Sequence, residues 1–254
     1  MKLSGTLSLF ALTMFVISLA AGVGQSAAPF VGPLPLPWAQ TNRASTKQPT
    51  FGILLPSSFR RSLMQADEKV RFWMHHFTSG EGRESFQSAL ERGQVYKRMI
   101  QNTLIRHGVP TSFYYLPLIE SAYKQDAETE KNMVGLWQLA SPTGSRFGLD
   151  IDDEIDERLD PQRSTQAAAR YLHLLYRRFR SWTLVAAAYN VGENRLLRAI
   201  HAGHTHDFWS LARRGLIPIE TQRFVPQFLA AVVLGENLDY YHLEISEPDS
   251  PDEG

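Results

Sequence analysis

Apolar residues along this chain recur at helical spacing and almost nowhere alternate with period two, so the elements expected are α-helices. Helices are predicted over 67–77 and within 83–107, the second stopped by Gly108 and Pro110. The stretch 113–123 holds Pro117, which either kinks a helix or marks its first turn. Asp160 and Pro161 read as an N-cap and a first helical position, and the residues behind them set Ala168, Leu172, Leu175 and Phe179 four, three and four apart, one apolar stripe. From Trp182 to Tyr189 the chain is apolar all round, which predicts a helix buried at the centre and ended by Asn190-Val191-Gly192. Helices over 193–200 and 222–240 complete an all-α domain of eight or so helices, without an internal repeat.

The two ends break this pattern. Met1-Lys2, the apolar run from Leu9 to Ala21 and the small residues Ser26-Ala27-Ala28 read as a secretory signal cut after Ala28, with an uncleaved membrane anchor as the alternative. Six prolines between Pro29 and Pro56 mark a tether over 29–62. Five acidic residues and two prolines from Glu244 onward mark an acidic tail over 243–254, leaving 63–242 as the helical domain. Composition narrows the chemistry. Among 254 residues there is no cysteine, which removes disulfides, thiol nucleophiles and cysteine zinc sites. Basic and acidic side chains balance at 26 each, so nothing favours nucleic acid as a partner. A periplasmic location is expected from the signal.

Chemistry must then come from carboxylates, hydroxyls or imidazoles. Glu120 follows the apolar, aromatic run Phe113-Tyr114-Tyr115-Leu116-Pro117-Leu118-Ile119, an unusual place for a charge. Burial there disfavours the ionised form and raises the pKa toward a range where a carboxyl delivers a proton at neutral pH. The competing reading is a helix-surface glutamate beside a core face. His201, His204 and His206 lie in a polar, glycine-containing segment with no acidic ligand to complete a zinc site. The acidic run 150–154 lacks the glycine and terminal glutamate of a calcium loop. No metal and no cofactor is expected.

The wider pattern is more specific. Glu120-Ser121, then Gly135-Leu136-Trp137-Gln138, then Ala187-Ala188-Tyr189-Asn190 with Gly192, stand in an order and spacing that resembles the lytic transglycosylases of the soluble type, in the branch of the membrane-bound lytic murein transglycosylases D. Flanking matches include Pro142-Thr143-Gly144, Asp156-Glu157-Arg158, Asp160-Pro161, and Glu220-Thr221 with Val225-Pro226. The resemblance implies a lysozyme-like α domain that cleaves peptidoglycan glycan strands between N-acetylmuramic acid and N-acetylglucosamine, leaving a 1,6-anhydromuramic end. It implies Glu120 as the single catalytic group, acid first and base afterwards. It implies that Tyr189 and Asn190 orient the substrate's N-acetyl group and the glutamate, and that Gln138 and Thr129 contribute to the cleft. Trp137 either stacks on a sugar ring or fills core. Ser121 braces the helix carrying Glu120 rather than reacting. Expected partners are the glycan strands and cell-wall machinery proteins.

Several positions depart from the family pattern. Thr129 stands where serine is usual, and 130–134 replace a run of small residues with a bulkier, more charged loop in which Asn132 accepts a left-handed backbone. Lys124-Gln125 replace asparagine and proline, and Phe224 replaces tyrosine. Two other functions are consistent with the residues: a lysozyme-type hydrolase, which needs a second carboxylate with only Asp126 or Glu128 near, and a non-catalytic glycan-binding or scaffold protein.

Overall fold

The computed structural model describes residues 67–245 together with Phe59; the expected signal, most of the tether and most of the acidic tail lie outside them. Helix α1 (Asp67–Thr78) is followed by the long α2 (Arg83–Arg106). A 3-10 turn (Thr111–Tyr115) runs directly into the short α3 (Leu116–Ser121), where Pro117 occupies the first turn and so costs no internal hydrogen bond. A two-stranded antiparallel hairpin, β1 (Met133–Val134) and β2 (Leu139–Ala140), precedes α4 (Ser141–Arg146). Then come α5 (Pro161–Phe179), α6 (Trp182–Val191), α7 (Glu193–Gly203), α8 (Phe208–Arg213) and α9 (Ile219–Gly235).

The caps follow from chemistry readable in the chain. The Asp160 carboxylate accepts the Arg163 amide at 2.7 Å ahead of Pro161, and the Asp207 carboxylate accepts the Ser210 amide at 2.8 Å to open α8. Gly192, with φ near 87°, separates α6 from α7. The last helix differs from its expected span of 222–240. It begins at Ile219, launched from Pro218, and stops at Gly235, with the Asn237 side chain donating to the Val233 carbonyl at 2.9 Å. The remainder tightens into a 3-10 turn at Asp239–Tyr241.

α6 is buried along nearly its whole length, and α9 packs against α1, α3 and α6. α9 forms the floor on which the short α3 rests. Phe113 sits among Phe228, Trp182 and Phe59, with ring centroids 5.2, 5.2 and 5.7 Å away. Phe59, which falls within the expected tether, is fully buried in this core. A close approach is needed where α2 crosses the end of α3. A methyl group on Gly93 would lie 2.5 Å from the Tyr123 ring and 2.7 Å from the Tyr114 hydroxyl, so only glycine allows that contact.

Candidate active site

Glu120 is the penultimate residue of α3, and the helix stops immediately behind it because Ala122 and Tyr123 both turn left-handed. The Ala122 amide bonds the Leu118 carbonyl and the Tyr123 amide the Pro117 carbonyl, which closes the helix end and fixes where Glu120 points. Its side chain is 8% exposed. Among the described residues no donor bonds its carboxyl. Burial alone pushes its pKa up to about 8. No carboxylate partner contributes to that shift, and Asp126 and Glu128 are both exposed.

The segment Leu136–Trp137 holds this glutamate to the central helix through two successive carbonyls. The fully buried Ser121 hydroxyl lies 2.8 Å from the Leu136 carbonyl and 3.1 Å from the Pro117 carbonyl, so it braces α3 and does not face a substrate. The Tyr189 hydroxyl, from α6, donates to the Trp137 carbonyl at 2.6 Å. Tyr189 is near enough to Glu120 to feel its charge. Burial, then Glu120 and Tyr171, hold the phenol well above its usual pKa, so it stays neutral while Glu120 titrates. Its ring meets Tyr171 at 5.6 Å, and Tyr171 meets Phe147 at 5.2 Å, an aromatic wall leading away from the glutamate.

Trp137 is a correction to the expected substrate-binding set. Its ring is fully buried and its indole N–H donates to the Thr165 hydroxyl at 2.8 Å, so it fills core and cannot stack on a sugar. Gln138 has also turned inward. With φ near 45°, its amide nitrogen donates to the carbonyls of Ala127 at 3.0 Å and Gly135 at 2.9 Å, so both N–H groups serve the loop and none is left for a sugar. Thr129 is half-buried; its hydroxyl accepts the Met133 amide at 3.3 Å and closes the turn before β1. Asn190 is half-buried beside Tyr189, and its side-chain oxygen accepts the Thr221 hydroxyl at 2.7 Å. Glu120, Tyr189 and Asn190 thus remain as groups able to meet a ligand, while Ser121, Thr129, Trp137 and Gln138 build the frame.

Arg158 was assigned no role by the chain pattern, yet the hairpin is built around it. It is 3% exposed and reaches the Asp156 carboxylate at 2.6 Å, the Asn132 carbonyl at 2.8 Å, the Asn132 side-chain oxygen at 2.9 Å and the Leu139 carbonyl at 3.2 Å. One guanidinium therefore pins both arms of the hairpin. Asn132 adopts the left-handed backbone expected of it, with φ near 56°. Gly135 is left-handed too, and a methyl group there would lie 2.0 Å from the Arg158 carbonyl. His201, His204 and His206 are exposed at and beyond the end of α7, and among the described residues no cluster of histidine and acidic side chains could hold a metal. In the acidic run, Asp152 caps a turn by accepting the amides of Glu154 and Ile155.

Residues 98–211, from the middle of α2 to α8, match the family model described as Transglycosylase SLT domain. Over these residues the chain is similar to that domain. The SLT match spans α3, the hairpin, α5 and α6, and so includes Glu120, the Leu136–Trp137 bridge, Tyr189 and Asn190. The all-α class expected above is what the described residues show, apart from the two-residue strands of the hairpin. Membrane-bound lytic murein transglycosylase D of Escherichia coli is 33% identical over 163 residues, which are 62% of this chain and 35% of that protein. The protein of the same name from a second Escherichia coli strain matches equally. The chain therefore spans about a third of the length of these curated relatives. Among solved structures, an inactive variant of the lytic transglycosylase Slt from Pseudomonas aeruginosa covers 74% of this chain and 38% of its own, at 19% identity and a TM-score of 0.46. The 70 kDa soluble lytic transglycosylase of Escherichia coli covers 78% and 38%, at 17% identity and a TM-score of 0.47.

Proposed function

We propose that this chain is an exported lytic transglycosylase that cuts peptidoglycan between N-acetylmuramic acid and N-acetylglucosamine, with Glu120 as its one acid and base. The observation that carries the reading is a buried carboxyl with no bonding partner among the described residues, its pKa pushed up to about 8 by burial. A neutral acid of this kind is stored for donation.

In the first step Glu120 gives its proton to the departing glycosidic oxygen as the bond to the anomeric carbon breaks. The substrate's N-acetyl carbonyl stabilises the cation that results. The C6 hydroxyl of the same sugar then attacks the anomeric carbon, and the Glu120 carboxylate takes its proton. The product ends in a 1,6-anhydro ring and Glu120 is again neutral. Tyr189 stays a neutral phenol whose proton is committed to the Trp137 carbonyl, so it orients without exchanging protons.

A hydrolase would need a second carboxylate, about 5–5.5 Å from the first in a retaining enzyme or about 6.5–9.5 Å in an inverting one. Such a neighbour would raise the Glu120 pKa by repulsion. Burial is the whole cause of the shift among the described residues, which supports the single-carboxyl route. The catalytic unit is taken as 63–242, preceded by a signal over 1–28 and a tether over 29–62, with the periplasm as the site of action. Among the described residues no helix is long and apolar enough to cross a membrane.

Isolated cell wall tests this. Wild-type protein should release anhydro-muropeptides and Glu120→Gln should release none above background, by mass spectrometry of the soluble fraction. Binding to the wall without soluble product from the wild type would instead fit a glycan-binding protein.

A further inference from the structure

The bond between α6 and α9 gives Asn190 a polarity, and with it a choice of ligand group. Thr221 is 1% exposed, in the first turn of α9, and its hydroxyl proton goes to the Asn190 side-chain oxygen at 2.7 Å. The carbonyl that a helical threonine commonly uses, four residues back at Ile217, accepts the side-chain amide of Gln222 at 2.9 Å. Turning the Asn190 amide over would put its N–H against the Thr221 oxygen and take away the acceptor that the hydroxyl proton uses. The observed orientation satisfies both groups. With its oxygen engaged, Asn190 is left with the two N–H donors of its amide. Those donors have no protein acceptor among the described residues, and the amide nitrogen is not sealed off from solvent.

We infer that Thr221 is a positioning residue that locks the Asn190 amide with its N–H groups outward, so that Asn190 reads an acceptor on the glycan, the carbonyl oxygen of an N-acetyl group. This rests on the transglycosylase reading for the identity of the glycan, and not on the chemical steps. A free amide would present oxygen or nitrogen with equal ease and would lose its selectivity for acceptors.

The test measures binding of fully N-acetylated and de-acetylated glucosamine oligomers by calorimetry, in a Glu120→Gln background so that no bond is cut. Thr221→Val removes the hydroxyl at nearly constant volume, and the preference for the acetylated oligomer should fall about fivefold, the effect of one neutral hydrogen bond. Thr221→Ser should restore it. Asn190→Asp keeps an oxygen for Thr221 but removes the donors, and should lose the preference as fully as Thr221→Val. An unchanged preference in Thr221→Val, or a retained one in Asn190→Asp, overturns the inference, as does a parent protein that binds both oligomers alike. Should Thr221→Val fail to fold, the Asn190→Asp result decides alone. Anhydro product from the wild type with no acetyl preference would leave the reaction standing and this inference fallen; the reverse pair of results would do the opposite.

Discussion

Glu120 was legible in the chain because a carboxylate behind seven apolar or aromatic residues has few explanations, and the structure buries it with no bonding partner among the described residues. Ser121 was equally legible, since a lone serine with no histidine base has bracing as its natural role, and its hydroxyl is spent on two carbonyls. Trp137 was not. An indole is both apolar and able to hydrogen-bond, so its surroundings decide between core and sugar, and those come from Thr165, twenty-eight positions away. Gln138 misled for a similar reason: its amide looks made for hydroxyls, yet two backbone carbonyls in its own loop claim both donors. A pH prediction belongs to Glu120. Because the first step needs its neutral form, kcat/KM on soluble glycan fragments should be level at mildly acidic pH and fall tenfold per pH unit above about 8. The later basic role is played by a carboxylate formed within the turnover, so Glu120 adds no acidic limb. A profile that instead rises through neutrality would exclude it as the acid.

At the scale of elements, the helices were readable from period and caps, and the hairpin was not, because two-residue strands are too short to show alternation. Its geometry comes from Arg158 at long range, together with the left-handed turns at Asn132 and Gly135. The Asp156 carboxyl beside this guanidinium is held below its usual range, chiefly by their hydrogen bond. Removing the buried cation would strand that carboxylate, two backbone carbonyls and the Asn132 side-chain oxygen. Arg158→Ala should therefore cost about 3–5 kcal/mol of stability by denaturant unfolding. Arg158→Lys should recover little of it, since an ammonium cannot span four acceptors in a plane. Activity should fall with both, because the hairpin delivers the carbonyls that Ser121 and Tyr189 hold. A lysine variant as stable and active as wild type would contradict this.

For the whole molecule, the helical unit is larger than the matched domain. α1 and α9 lie outside 98–211, yet α9 packs on α6 and α3 and buries Phe224, Val225, Phe228, Leu229 and Val233. At about 1.5–3 kcal/mol for each large side chain buried, that loss is as large as the net stability of a typical domain. A fragment of residues 98–211 should show no cooperative thermal transition, whereas residues 59–245 should melt as one unit by calorimetry. A fragment that melts cooperatively without α9 would show that the floor of the site lies elsewhere. The central claim for the molecule is that the sugar's own hydroxyl, and not water, closes the reaction on Glu120's proton. Digestion of cell wall in water enriched in heavy oxygen tests it most directly, with mass spectrometry of the released muramic ends. The account predicts anhydro ends carrying no label; labelled reducing ends would contradict it.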